Sequence, residues 1–185
     1  MNTERLYFVL GGARSGKSRL AESIAQSSKL PVYYIATAEA NDPEMSSRIA
    51  HHQMQRPEHW TTLEQPFFLP ETIREIAKRD ICILVDCLTL WVNNYLCSEQ
   101  TTSWSDRKNA LLDSLHFAKE QGAVVILVSN EVGHGIVPMG ELSRQFVDES
   151  GWLHQDITQV ADRVEFVMAG LSVTLKSIAN SEVKP

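Results

Sequence analysis

Four short apolar runs punctuate a chain of otherwise mixed character: Leu6 to Leu10 (LYFVL), Val32 to Ala36 (VYYIA), Ile81 to Val85 (ICILV) and Ala123 to Val128 (AVVILV). Each is rich in β-branched or aromatic side chains and lacks polar alternation, which predicts strands buried on both faces of a parallel sheet. A fifth run, Val164 to Val167, is followed closely by Leu171 to Leu175 and predicts a closing edge strand or hairpin. The intervening stretches 17–27, 43–55, 70–78, 88–96, 106–120 and 141–161 mix apolar and polar positions as helices do. Strands alternating with helices imply an α/β fold with right-handed crossovers. Residues 60–66 (WTTLEQP) read as a short extended segment that presents Glu64. Residues 98–105 (SEQTTSWS) read as a polar loop, free to vary without disturbing the core. Trp91 and Trp152 are expected in the core or at a subunit contact.

Composition narrows this picture without redirecting it. A chain of 185 residues has the length of one domain, taken here as 1–185. With 43% hydrophobic and 22% charged residues it can bury a core and does not resemble a disordered chain. A formal net charge of −6 argues against duplex nucleic acid as the main partner, since such binding rests on neutralising phosphates with Lys and Arg. Cys82, Cys87 and Cys97 form neither a CxxC pair nor zinc-finger spacing, which fits a reduced, intracellular protein. The run Leu6 to Leu10 is too short for a signal segment or a membrane span. The expected location is therefore the cytoplasm.

Candidate chemistry begins where the first strand ends. Gly11, Gly12, Ala13, Arg14, Ser15, Gly16, Lys17 and Ser18 satisfy G-x-x-x-x-G-K-[ST], followed by a predicted helix. In such a loop backbone N–H groups converge on an anion at a helix N-terminus, the lysine reaches the β and γ phosphates, and the hydroxyl of Ser18 can hold Mg²⁺. The run Ile81 to Val85 ends in Asp86, a carboxylate at the strand edge where open α/β sheets bind ligands and P-loop proteins hold Mg²⁺. Neither the Asn/Thr-Lys-x-Asp motif of guanine-reading switches nor the Leu-Ser-Gly-Gly-Gln signature of transporter ATPases is present. Small-molecule kinases, nucleotidyl transferases and recombinase-like ATPases are left.

A second candidate is the predicted helix after Asp42, which has an N-cap aspartate, Pro43 at the first position and Glu44 toward the dipole. At about 100° per residue, Met45, Arg48, Ile49, His52 and Arg56 share one face and His51 turns aside. Arginines one turn away on either side would keep the His52 ring neutral and nucleophilic, and would bind the oxygens of a phosphate under attack. Residues 130–138 (NEVGHGIVP) read as a shaped loop at the ligand edge. His59, His116, His134 and His154 are expected on the surface.

The segments GGARSGKS, YIATAEANDPEMSSRIAHHQMQRPEHWTTLEQP, VDCLTLWVNN and NEVGHGIVP, in this order, resemble the bifunctional adenosylcobinamide kinase/adenosylcobinamide-phosphate guanylyltransferases of cobalamin biosynthesis. The resemblance runs from Leu6 to about Leu171. It implies a P-loop domain of recombinase-like topology, commonly trimeric. It also implies phosphorylation of adenosylcobinamide by ATP or GTP, then transfer of GMP from GTP through a histidine. Carried onto this chain, the nucleotide would meet Gly11 to Ser18, Ala36, Thr37, Ala38, Gln53, Met54, Gln55, Arg56, Glu64 and Asp86. The guanylylated residue would be His52, with Lys17 as its catalytic companion and Ser18 and Asp86 at the metal. The chain departs from the family at Gly151 to Gln155 (GWLHQ, where Gly-Arg-Leu-Asn-Gln is frequent) and at Asp86, where some relatives carry Glu. The alternatives are a monofunctional P-loop kinase or guanylyltransferase, and a nucleotide-sensing module without catalysis.

Overall fold

The strand Leu6–Gly11 (β1) shows why the apolar runs lack alternation. Leu6, Phe8 and Leu10 enter one core and Tyr7 and Val9 the other, so both faces of the strand are covered. The computed structural model describes residues 4–39, 57–98 and 102–178. In these the other strands are Val32–Ala36 (β2), Thr61–Glu64 (β3), Cys82–Asp86 (β4), Val124–Asn130 (β5), Arg163–Met168 (β6) and Leu171–Ser177 (β7). They form one sheet in the order β3-β2-β4-β5-β1-β6-β7. All neighbours pair in parallel except β6 and β7, which close the sheet as an antiparallel hairpin. This is the expected mostly parallel α/β sheet with a C-terminal hairpin.

The helices are Lys17–Ser27 (α1), Leu69–Ile76 (α2), Leu88–Leu96 (α3), Trp104–Glu120 (α4) and Glu141–Val160 (α5). Leu69, Ile73, Leu88, Trp91, Leu111, Leu115, Leu153 and Ile157 pack one face of the sheet. Ala21 and Ala25 of α1, with Trp60, cover the other. Leu20, Ile24 and Leu30 lie against the same cluster. Small residues on α1 let it lie close to the strands that carry the loop before it.

Three expectations change. Helix α4 starts at Trp104, not at residue 106, because the Ser103 side chain accepts the Asp106 amide at 3.1 Å and caps the helix two residues earlier. Nor is the whole of 98–105 dispensable. The Trp104 ring lies 5.1 Å from that of Trp91, and its Nε1 donates to Glu149 on α5 at 2.6 Å, so this residue joins α3, α4 and α5. Trp91 is fully buried, and Trp152, expected in the core or at a subunit contact, lies outside the core at 53% exposure. Strand β5 runs to Asn130, two residues further than its apolar run, because Gly11 of β1 pairs with it. The predicted helix at 43–55 lies outside the described residues.

Candidate active site

The C-terminal ends of six strands meet in register. Gly11 lies opposite Asn130 and Val167, and Ala36 lies opposite both Glu64 and Asp86. The loop between β1 and α1 turns through Arg14 at φ 57° and Gly16 at φ 99°, and the left-handed region suits glycine at the second of these. A Cβ on Gly11 would fall 2.5 Å from both the Ser15 Oγ and the Val167 carbonyl, so only glycine lets the loop close against β6. The hairpin turn Ala169–Gly170, with both residues at positive φ, braces the loop from the other side, its Gly170 amide donating to the Ser15 carbonyl at 2.8 Å.

Inside this loop Lys17 is buried, and its Nζ donates to the Gly12 carbonyl at 3.2 Å. A buried ammonium held by a neutral carbonyl is poised for an anion. Among the described residues the buried Ser15 Oγ has no hydrogen-bond partner, a second polar group that a bound phosphate would satisfy. Ala13 and Arg14 are exposed, and Ser18 is half-buried in the first turn of α1. The geometry is that of an anion cradle at a helix N-terminus.

Two strands from β1, the Oδ2 of Asp86 accepts the Tyr34 hydroxyl at 3.0 Å. Thr37 ties the next residue down: its Oγ1 donates to the Cys87 carbonyl at 2.6 Å and accepts the Cys87 amide at 2.9 Å. Asn94 of α3 donates to the Thr37 carbonyl at 2.8 Å and to the Pro66 carbonyl at 3.0 Å. The Thr37 hydroxyl is thus committed to holding the ends of β2 and β4 together. Ala36 is buried and Ala38 half-buried beside it, and Glu64 is exposed at the end of β3. The structure brings Gly11 to Ser18, Ala36 to Ala38, Glu64 and Asp86 to one sheet edge. His52, its neighbours Arg48 and His51, and Gln53, Met54, Gln55 and Arg56 lie outside the described residues.

One expectation is overturned here. His154 is not on the surface: it is 7% exposed, its Nε2 lies 2.8 Å from the Oγ of buried Ser129, and its Nδ1 lies 3.8 Å from Glu131. Burial lowers its pKa below the ordinary 6.5, against the opposing pull of Glu131. Its place on the inner face of α5, one residue from buried Leu153, was the signal that could have revealed it. The chain's departure from the frequent Gly-Arg-Leu-Asn-Gln thus falls partly on a buried polar position. His59, His116 and His134 are exposed as expected.

A cavity of about 330 Å³ opens between the P-loop and the end of β6, lined by Gly12 to Ser15, Glu131, His134 and Phe166 among others. Among the described residues, no group of three or more His, Cys, Asp or Glu side chains could hold a metal. The hard oxygens of Ser18 and Asp86 suit Mg²⁺ of the kind that borrows phosphate oxygens and retains water, rather than a metal held by a protein cage.

Residues 7–175 match the family described as CobU, cobinamide kinase/cobinamide phosphate guanyltransferase. The bifunctional adenosylcobalamin biosynthesis protein CobP of Pseudomonas aeruginosa is 54% identical over 168 residues, 91% of this chain and 95% of the relative. The corresponding protein CobU of Escherichia coli is 39% identical over 181 residues, 92% of this chain and 99% of the relative. Two solved structures share the fold. One, of a Pyrococcus horikoshii OT3 protein, has a TM-score of 0.56 at 12% identity and covers 97% of this chain and 89% of its own. The other, the RadB recombinase, has a TM-score of 0.51 at 15% identity over 88% of this chain and 74% of its own. A P-loop at the edge of a recombinase-like sheet, in a chain matched almost end to end, places this protein in the cobinamide kinase/cobinamide phosphate guanyltransferase family.

Proposed function

We propose that the protein phosphorylates adenosylcobinamide with ATP or GTP and then transfers GMP from GTP to the product, giving adenosylcobinamide-GDP. The observation that carries this reading is the anion cradle of Gly11 to Ser18, with buried Lys17 and unpartnered Ser15, in a chain of this family. Both activities need that cradle but act on different phosphorus atoms. In guanylyl transfer the neutral ring of His52 attacks the α-phosphorus and the bond to the bridging oxygen breaks. Lys17 and the loop amides stabilise the departing pyrophosphate, and the substrate phosphate then displaces the histidine. In the kinase step the acceptor hydroxyl attacks the γ-phosphorus, and catalysis is chiefly positioning and charge stabilisation.

Ser18 and Asp86 would hold Mg²⁺, which would supply positive charge against the phosphate oxygens. The Tyr34 hydroxyl on Asp86 keeps that carboxylate oriented. Adjacent strands lie about 4.8 Å apart, so Glu64, four strands from β1, stands about 19 Å away. At that distance it serves the nucleoside end of GTP, with Ala36 to Ala38 lining the path and Gln53 to Arg56 contributing to the same nucleotide. The working location is the cytoplasm, which suits the free cysteines Cys82, Cys87 and Cys97. The working assembly is a homo-oligomer, a trimer by family resemblance. Incubating the protein with adenosylcobinamide, GTP and Mg²⁺ and resolving the corrinoids by mass spectrometry tests the reading. Both the phosphate and the GDP derivative are expected. The phosphate alone would mean a monofunctional kinase, and unchanged adenosylcobinamide a nucleotide-sensing module.

A further inference from the structure

Three carboxylates stand along the ligand edge of the sheet, and their strands separate their tasks. Glu64 ends β3 and Asp86 ends β4, four and two strands from the P-loop strand. Glu131 follows β5 directly, one strand away, and its own amide donates to the Gly11 carbonyl at 3.1 Å. It is therefore pinned to the first residue of the P-loop, and it lines the same cavity as Gly12 to Ser15.

Its side chain is built in from behind. One carboxylate oxygen accepts the Gly133 amide at 2.7 Å, and the other stands 3.8 Å from the Nδ1 of His154. The far nitrogen of that ring meets the Oγ of Ser129 at 2.8 Å, inside the core. A Ser129 hydroxyl that donates to Nε2 sets the remaining ring proton on Nδ1, toward Glu131. The side chain of Glu131 is nevertheless 20% exposed, and that exposure opens onto the cavity. Arg14 and His134 are the other ionisable groups on its wall. A carboxylate beside the phosphate cradle, held from behind by a buried histidine and open to the cavity next to the P-loop, is placed to meet a reacting group there.

We propose that Glu131 receives the hydroxyl proton in the kinase step, with His154 as a positioning residue that acts through it. The inference rests on the kinase reading given above. The acceptor oxygen bonds to the γ-phosphorus as the bond from that phosphorus to the β–γ bridging oxygen breaks. The electron pair leaves on the nucleoside diphosphate, and the hydroxyl proton passes to the Glu131 carboxylate, to be lost to water after product release. Asp86 is the less suitable acceptor: it lies a strand further from the P-loop, and the reading above assigns its carboxylate to Mg²⁺.

The test measures transfer of γ-labelled phosphate from ATP to adenosylcobinamide, with nucleotide affinity read separately from a fluorescent analogue. Glu131→Gln should lower kcat about 100-fold while nucleotide affinity stays within about threefold of wild type. Glu131→Ala should be equally slow and should recover part of its rate with added formate, which a loss of fold would not allow. His154→Asn, which keeps a donor near the Nδ1 position, should retain more kcat than His154→Leu at unchanged KM for nucleotide. A Glu131→Gln variant with kcat within about threefold of wild type overturns the proposal, and so does a loss that appears in nucleotide affinity instead. Failure of the wild type to transfer label at all overturns the kinase reading itself and is seen in a different sample.

Discussion

Lys17 is a long charged side chain folded into the protein with, among the described residues, a neutral partner in the Gly12 carbonyl, an arrangement that costs stability until an anion arrives. Asp86 is its complement, a half-buried carboxylate whose orientation is set by Tyr34. Asp86→Asn should therefore leave nucleotide binding in place but raise the Mg²⁺ concentration for half-maximal kinase rate about tenfold or more, measured by titrating Mg²⁺ at saturating nucleotide. An unchanged titration would make Asp86 structural. At this scale the sequence was informative wherever chemistry fixes spacing. The P-loop lies within eight residues, and a carboxylate that ends an apolar run is visible in one dimension. Glu131 and His154 were not visible, because their association joins a strand end to a helix 23 residues later and depends on how α5 rotates against the sheet.

The elements are held at their ends as much as by their faces. Asp162, between α5 and β6, takes the Arg5 and Leu6 amides at 2.8 and 2.9 Å and the Lys119 ammonium at 2.7 Å, so one carboxylate joins the start of β1 to the end of α4. Burial raises its pKa, but Lys119 and the two amides outweigh burial and hold it below the ordinary 3.8. A depressed carboxyl binds its proton more weakly in the folded than in the unfolded chain. Its stabilisation is complete above 3.8 and is lost as the pH falls from there through the folded value. Asp162→Ala should cost about 3 kcal/mol near neutral pH, and its deficit should shrink below about pH 3.5, as read from urea midpoints across pH. A constant deficit would contradict the assignment. Strand existence was legible because continuous apolar runs suit only doubly covered strands. Ends were less so: β5 was extended by pairing with Gly11, and α4 by a serine cap inside a stretch too polar to look ordered.

At the scale of the whole molecule, β7 ends the sheet with Leu171, Val173 and Leu175 exposed at 74%, 60% and 62%. This apolar stripe on an edge strand suits copies of the same chain, in line with the homo-oligomer proposed above. Val173→Lys should lower the mass measured by light scattering to that of one 20.8 kDa chain, and an unchanged oligomer would place the contact elsewhere. The central claim is that one phosphate cradle serves two reactions and that only one of them passes through His52. Its most direct test is covalent labelling with α-labelled GTP and Mg²⁺, in parallel with a cobinamide phosphorylation assay, on wild type, Lys17→Ala, His51→Ala and His52→Ala. Label is expected on wild type and His51→Ala, as an acid-labile, alkali-stable adduct, with phosphorylation kept by His52→Ala and both activities lost by Lys17→Ala. Label retained by His52→Ala, or near-normal phosphorylation by Lys17→Ala, would contradict the account.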